Sequence, residues 1–203
     1  MHTIDTLEAL QALFDAPPVT SLRKEVSWLY PSYQRWIEAS PFAVLATVGP
    51  DGLDASPRGD PPGLVTIQDE RTLLLPERRG NNRIDSLRNI VADPRVALLF
   101  LTPGIGETMR VNGRARITVA PELLTRFAMQ GVAPKCVLEI SVDTVYFQCA
   151  RAIHRSRLWE AAVTGCVAEV PTAGAMLAAV SRGEVGGAEY DRRQPEQLRT
   201  TLY

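Results

Sequence analysis

The segment Thr108 to Val119 constrains the fold most: Met109, Val111, Gly113, Ala115, Ile117 and Val119 alternate with Arg110, Asn112, Arg114, Arg116 and Thr118. Period-two alternation places the two sets on opposite faces of an extended strand, one apolar and one rich in arginine. Such a strand needs neighbours on its edges and cover over its apolar face. Candidate neighbours recur at short intervals. Phe42 to Val48 is a run of strand formers closed by Gly49-Pro50-Asp51-Gly52, a hairpin signal, and a returning strand runs from Leu53 to about Arg58. Leu64 to Ile67 and Thr72 to Leu75 flank the turn Asp69-Glu70-Arg71. Val96 to Leu101 is apolar on both faces, as in the middle of a barrel or sandwich. Cys136 to Val142 and Thr144 to Gln148 read as two further strands. Strands so spaced, with only short helices between them, predict a mainly β protein with flanking helices, built as a closed antiparallel barrel.

Helical periodicity is confined to the two ends and two insertions. Ile4, Leu7, Leu10, Leu13 and Phe14 recur at helical spacing until Pro17-Pro18. A second helix is expected from a Ser21 cap through Leu22, Val26 and Leu29, and a third from Tyr33 to Ala39, before Pro41. Leu87, Ile90 and Val91 form the buried stripe of a helix that ends at Asp93-Pro94. Leu123, Leu124, Phe127 and Ala128 form that of another, closed by Gly131. From Ala161 the chain becomes rich in alanine and glycine, with one helix from Ala173 to Val180 and a polar stretch from Glu184 to Arg199. The organisation expected is a helical N-terminal extension (1–40), a barrel (41–160) and a C-terminal helical or irregular tail packed on it (161–203).

Composition removes several classes. A hydrophobic content of 45% supports a real core. A net charge of −1 argues against a nucleic-acid-coating protein, and no apolar run approaches the roughly 20 residues that span a bilayer. Cys136, Cys149 and Cys166, widely spaced and odd in number, fit free thiols in the cytoplasm. His2 and His154 sit in no metal-binding pattern, and neither a P-loop nor a dinucleotide fingerprint is present.

Pro76-Glu77-Arg78-Arg79-Gly80-Asn81-Asn82-Arg83-Ile84-Asp85-Ser86-Leu87-Arg88-Asn89-Ile90 leaves an apolar strand and enters a helical pattern, and carries the chemistry. It holds four arginines and three asparagines at the start of a helix, where unpaired backbone N–H groups add to guanidinium donors. That combination points to a phosphorylated ligand. Ser56-Pro57-Arg58-Gly59-Asp60, a strand ending in a donor-rich kink, is either a ligand contact or only a tight turn.

In this order and spacing the pieces resemble the pyridoxamine 5′-phosphate oxidase-like flavoproteins, the FMN-binding split β-barrels, over roughly Ser40 to Trp159. The resemblance is carried by the hairpin Phe42 to Arg58, the Ser56 to Asp60 segment, and Leu73 to Phe100 with its Asp93-Pro94-Arg95-Val96 ending. Arg110-Val111-Asn112-Gly113-Arg114-Ala115 and Ala152 to Trp159 complete it. It implies a split barrel, an FMN-dependent oxidoreductase acting on a small organic substrate, and a homodimer with FMN at the subunit interface. It also implies that Arg78, Asn82, Arg83 and Ser86 hold the phosphate, with Asn89 a weaker candidate. Ser56, Pro57, Arg58, Gly59 and Asp60 would lie along the flavin or ribityl chain, with Leu75 and Pro76 beside them. Thr108 would face the ring, and Arg155, Ser156 and Trp159 would reach across from the other subunit. Two departures stand out: Ser86 replaces a residue that is basic in true oxidases, and their C-terminal basic cluster for pyridoxal phosphate is missing. The alternatives are a non-catalytic flavin or haem carrier or sensor, with His154 as the haem ligand, and a deazaflavin (F420)-dependent reductase.

Overall fold

The computed structural model describes residues 2–160 and 170–203. Three short helices, α1 (Leu7–Gln11), α2 (Val19–Arg23) and α3 (Pro31–Ala39), lead into β1 (Phe42–Gly49) and β2 (Gly52–Gly59). Next come β3 (Thr66–Asp69), β4 (Thr72–Pro76), α4 (Asp85–Ala92), β5 (Arg95–Leu101) and β6 (Thr108–Thr118). The rest is α5 (Pro121–Arg126), β7 (Val137–Gln148), α6 (Arg151–Ser156), α7 (Ala173–Val180) and α8 (Gly187–Thr200).

All seven strands join one antiparallel sheet in the order β2-β1-β5-β6-β7-β4-β3. Residues from β1, β4, β5, β6 and β7 share a single buried cluster, so the sheet wraps around one core. It does not close: β2 and β3 are free edges. The closed barrel expected from strand spacing alone is therefore a split one. Spacing reveals a succession of short strands, whereas closure depends on pairing between the first and last of them.

The hairpin forms at Pro50-Asp51, between the paired Gly49 and Gly52. The alternation in β6 holds, with Met109, Val111 and Ala115 buried and Arg114 and Arg116 exposed. Two expectations change. The strand expected from Leu64 to Ile67 is β3, Thr66–Asp69, so Leu64 and Val65 are buried just before it and Asp69 is in the strand, not the turn. The two strands read around Asp143 are a single strand, β7, because the register against β6 jumps from Asn112↔Thr144 to Gly113↔Val142 and leaves Asp143 as a bulge. Gly113 belongs there for a steric reason: a Cβ on it would collide with the Ser141 carbonyl.

The helical ends also differ from expectation. α1 and α2 bury no residue, and Leu7, Leu13, Phe14 and Leu22 are exposed. The second helix stops at Arg23 instead of running to Leu29. Val26 instead makes an isolated bridge with Val145, and Leu29 N–H donates to the Glu70 carbonyl at 2.8 Å. Leu29 and Ile37 are fully buried in the barrel core. The polar stretch after Glu184 is mostly helical, as α8, and α7 and α8 pack chiefly on each other. The start of the tail at Ala161, and Cys166, lie outside the described residues. Cys136 is buried, and its thiol pKa is pushed up by burial and by Glu77. Among the described residues no helix is long and apolar enough to cross a membrane.

Candidate functional site

The strand β4, the arginine and asparagine run and α4 form one wall of a cavity of about 1000 Å³, and β2 forms the other. β4 ends at Pro76 against Val137 of β7, which directs Glu77 and Arg78 toward the free edge at β2. Two ion pairs bridge the split there. Arg58 Nη1 lies 2.7 Å from Glu77 Oε1, and Arg78 Nε lies 2.7 Å from Asp60 Oδ2, with the Asp60 side chain only 5% exposed. Arg78 Nη1 also donates to the Phe127 carbonyl at 2.6 Å. Two of its five N–H groups are thus taken by the protein itself. In the other pair, Arg58 Nε and Glu77 Oε2 are buried without a partner among the described residues. Unpaired buried polar atoms cost free energy, and they are common where a ligand or water completes them.

α4 is anchored over the β1–β2 hairpin. Ser86 Oγ donates to Asp54 Oδ2 at 2.6 Å, and Asn89 Nδ2 donates to Thr47 Oγ1 at 3.0 Å. These bonds assign structural roles to two of the expected phosphate ligands. The single hydroxyl proton of Ser86 goes to Asp54, and Asn89 lies outside the cavity. The helix start itself is uncapped: its first-turn N–H groups, which have no intrahelical partner in any α-helix, receive no side-chain hydrogen bond from Ile84. Two non-glycine residues before it have positive φ, Asn82 at 59° and Ile84 at 55°. For a β-branched residue such as Ile84 that is a strained conformation, held by its surroundings.

Five cationic side chains line the cavity, Arg58, Arg78, Arg79, Arg83 and Lys135, against three carboxylates, Asp54, Glu77 and Asp85. Arg83 is three-quarters exposed and pairs with Asp85 at 2.8 Å, a contact that raises its pKa. Lys135 Nζ donates to Asn82 Oδ1 at 3.2 Å. Arg79 makes no ion pair among the described residues, so its guanidinium is free for an anion.

The structure thus brings Ser56, Pro57, Arg58, Gly59, Leu75, Pro76, Arg78, Asn82, Arg83 and Ser86 to one cavity, with Asp60 directly behind Arg78. Thr108, Arg155, Ser156 and Trp159 are elsewhere on the chain. Thr108 Oγ1 donates to Gln148 Oε1 at 3.4 Å, Ser156 Oγ to the Ile153 carbonyl at 3.0 Å, and Trp159 Nε1 to the Ile105 carbonyl at 2.7 Å. His154 is exposed beside Gly106, away from the cavity.

The lining residues outside the expected set include Arg79, Lys135 and Tyr203. Arg79 was legible within the same run. Lys135 and Tyr203 are far away in sequence and carry no local signal. Tyr203 donates its hydroxyl to Asp60 Oδ1 at 2.8 Å, which raises the phenol's pKa, and its ring lies 5.7 Å from the Arg78 guanidinium.

A family model described as pyridoxamine 5′-phosphate oxidase matches residues 29–149, and the chain belongs to that family. No curated protein sequence matches it. Among solved structures, a HupZ variant from Group A Streptococcus is similar at 18% identity and a TM-score of 0.50, covering 59% of this chain and 99% of its own. General Stress Protein 26 from Bacillus anthracis is 20% identical with a TM-score of 0.42, covering 55% of this chain and 86% of its own. An FMN-binding protein from Syntrophomonas wolfei is 12% identical with a TM-score of 0.44, covering 69% and 91%. At its level of identity, the first of these likenesses shows the fold alone.

Proposed function

We propose that the protein binds FMN in this cavity and acts as an oxidoreductase on a small organic molecule, as a homodimer with the flavin at the subunit interface. The observation that carries this reading is the cavity itself. Its size suits a cofactor, and an uncapped helix start and an excess of cations lie along one wall. Arg79, Arg83 and Lys135, with the first-turn N–H groups of α4, would hold the phosphate. Ser56 to Gly59 and Leu75 to Pro76 would flank the rest of the cofactor, and Arg58 Nε and Glu77 Oε2 offer one unmatched donor and one unmatched acceptor. FMN, when bound, supplies the electron transfer. The chain's own task is to anchor the phosphate, exclude water and shape the face open to substrate.

The outer face of the sheet supports the dimer. Phe42, Val44, Ala46 and Val48 of β1 point away from the core, as do Ala97, Leu99 and Leu101 of β5, and all remain partly or well exposed. Val44 pairs with Leu99, and Phe42 with Leu101, so these side chains form one contiguous apolar surface. Thr108, Arg155, Ser156 and Trp159 lie away from their own chain's cavity, so a role for them at the flavin requires a second copy.

The purified protein is expected to be yellow, with flavin absorbance, and mass spectrometry of the released cofactor is expected to identify FMN. Release of F420 or haem would replace this reading with one of the alternatives. A colourless protein without measurable affinity for FMN would remove it.

A further inference from the structure

We infer that Tyr203 is a latch: it pins the end of the segment after α8 to the cavity wall and slows the escape of the bound cofactor, a second step that rests on the flavin reading above. Tyr203 lines the cavity. Its hydroxyl and the Arg78 guanidinium share one carboxylate, with Tyr203 on Asp60 Oδ1 at 2.8 Å and Arg78 on Oδ2 at 2.7 Å. The phenol ring also covers the guanidinium, with 5.7 Å between Arg78 Cζ and the ring centroid. Residues 143 positions apart therefore meet at the cavity wall, beside Arg78.

The rest of the C-terminal hairpin is tied to itself. α7 and α8 pack chiefly on each other, and Asp191 of α8 accepts from Thr172 Oγ1 at 2.6 Å and from Gly174 N–H at 2.7 Å at the start of α7. Among the described residues, the bond from Tyr203 to Asp60 is the hydrogen bond that joins this hairpin to the barrel. The latch can open without harm to the site beneath it. When Tyr203 leaves, Asp60 keeps Arg78, and Arg78 keeps the Phe127 carbonyl, so no buried charge loses its partner. Opening costs one charge-assisted hydrogen bond and one cation–ring contact, a barrier that thermal motion crosses readily.

Tyr203→Phe removes the hydroxyl and keeps the ring; Tyr203→Ala removes both. The first measurement needs no flavin: amide hydrogen exchange over residues 196–203 in the full chain. It is expected to speed up about tenfold in Tyr203→Phe, the scale of one lost charge-assisted hydrogen bond, and exchange equal to wild type overturns the latch. The second follows FMN release from loaded protein by flavin fluorescence. Both variants are expected to release FMN about tenfold faster than wild type. If Tyr203→Phe matches wild type and only Tyr203→Ala is faster, the ring is an ordinary wall contact and the latch is overturned. If exchange accelerates while release is unchanged in both, the contact is structural and gating is overturned. A wild-type protein that takes up no FMN overturns the flavin reading and cofactor retention with it, while the exchange result still decides whether Tyr203 holds the segment in place.

Discussion

Arg78 and Arg79 are neighbours in sequence and opposite in situation. Arg78 is a strut: Asp60, the Phe127 carbonyl and the Tyr203 ring engage it from three sides. Arg79 faces the cavity without an ion pair among the described residues. Arg78→Ala is therefore expected to destabilise the fold by about 3 kcal/mol, since it strands a buried carboxylate. Arg79→Ala is expected to leave the melting temperature almost unchanged and to weaken FMN about tenfold or more, as is Arg83→Ala. Denaturant melts and flavin titrations of the three variants separate the roles; equal losses of affinity without loss of stability would refute the division.

A second residue-scale prediction concerns Asp93, which accepts from the Arg95 backbone N–H and side chain and has its pKa lowered to about 2. A depressed carboxylate pKa contributes stability above the ordinary value of 3.8, and that contribution is lost as pH falls through about 2. A carboxyl titration by NMR should find the Asp93 midpoint near 2, and a midpoint near 4 would show that the Arg95 contact does not persist in solution.

At the scale of elements, the loop entering α4 holds a β-branched residue in a left-handed conformation. Ile84 is about half exposed, so its side chain contributes little packing to offset that strain. Ile84→Asn, which tolerates positive φ, is expected to stabilise the protein by about 1 kcal/mol. A rise in melting temperature checks this, and a fall would mean that Ile84 packs against something that justifies its geometry. The same scale explains where periodicity misled. A bulge at Asp143 breaks the alternation of β7 without breaking the strand. Helical spacing in residues 4–14 predicted an element correctly placed but shorter, α1, with its apolar side chains left exposed. Periodicity reports a local preference for helix; whether the apolar stripe finds a surface depends on what the rest of the chain offers.

For the whole molecule, the decisive feature is the apolar outer face of β1 and β5. The run from Val96 to Leu101 is apolar on both faces, yet within one chain only Val96, Leu98 and Phe100 are buried. The other half of that pattern supports the proposed second copy. Leu99→Glu is expected to give a monomer in sedimentation experiments and to lose FMN in parallel, because desolvating a charge at an interface is costly. A dimer that persists in Leu99→Glu would place the interface elsewhere.

Most strands, the hairpin at Pro50-Asp51, a helix ending at Asp93-Pro94 and the concentration of donors suited to a phosphate in residues 76–90 were legible in local sequence. Alternation, turn chemistry and charge act over a few residues and leave visible patterns. Tertiary structure alone decided which donors are free. Ser86 and Arg78 have the right chemistry for a phosphate, but Asp54 takes the Ser86 proton and Asp60 and Phe127 take two of the five Arg78 N–H groups, from 32, 18 and 49 positions away. It likewise brought Lys135 and Tyr203 to the cavity and left the barrel open between β2 and β3. A hydrogen bond depends on distance in space, and that distance is set only when the sheet curls around its core.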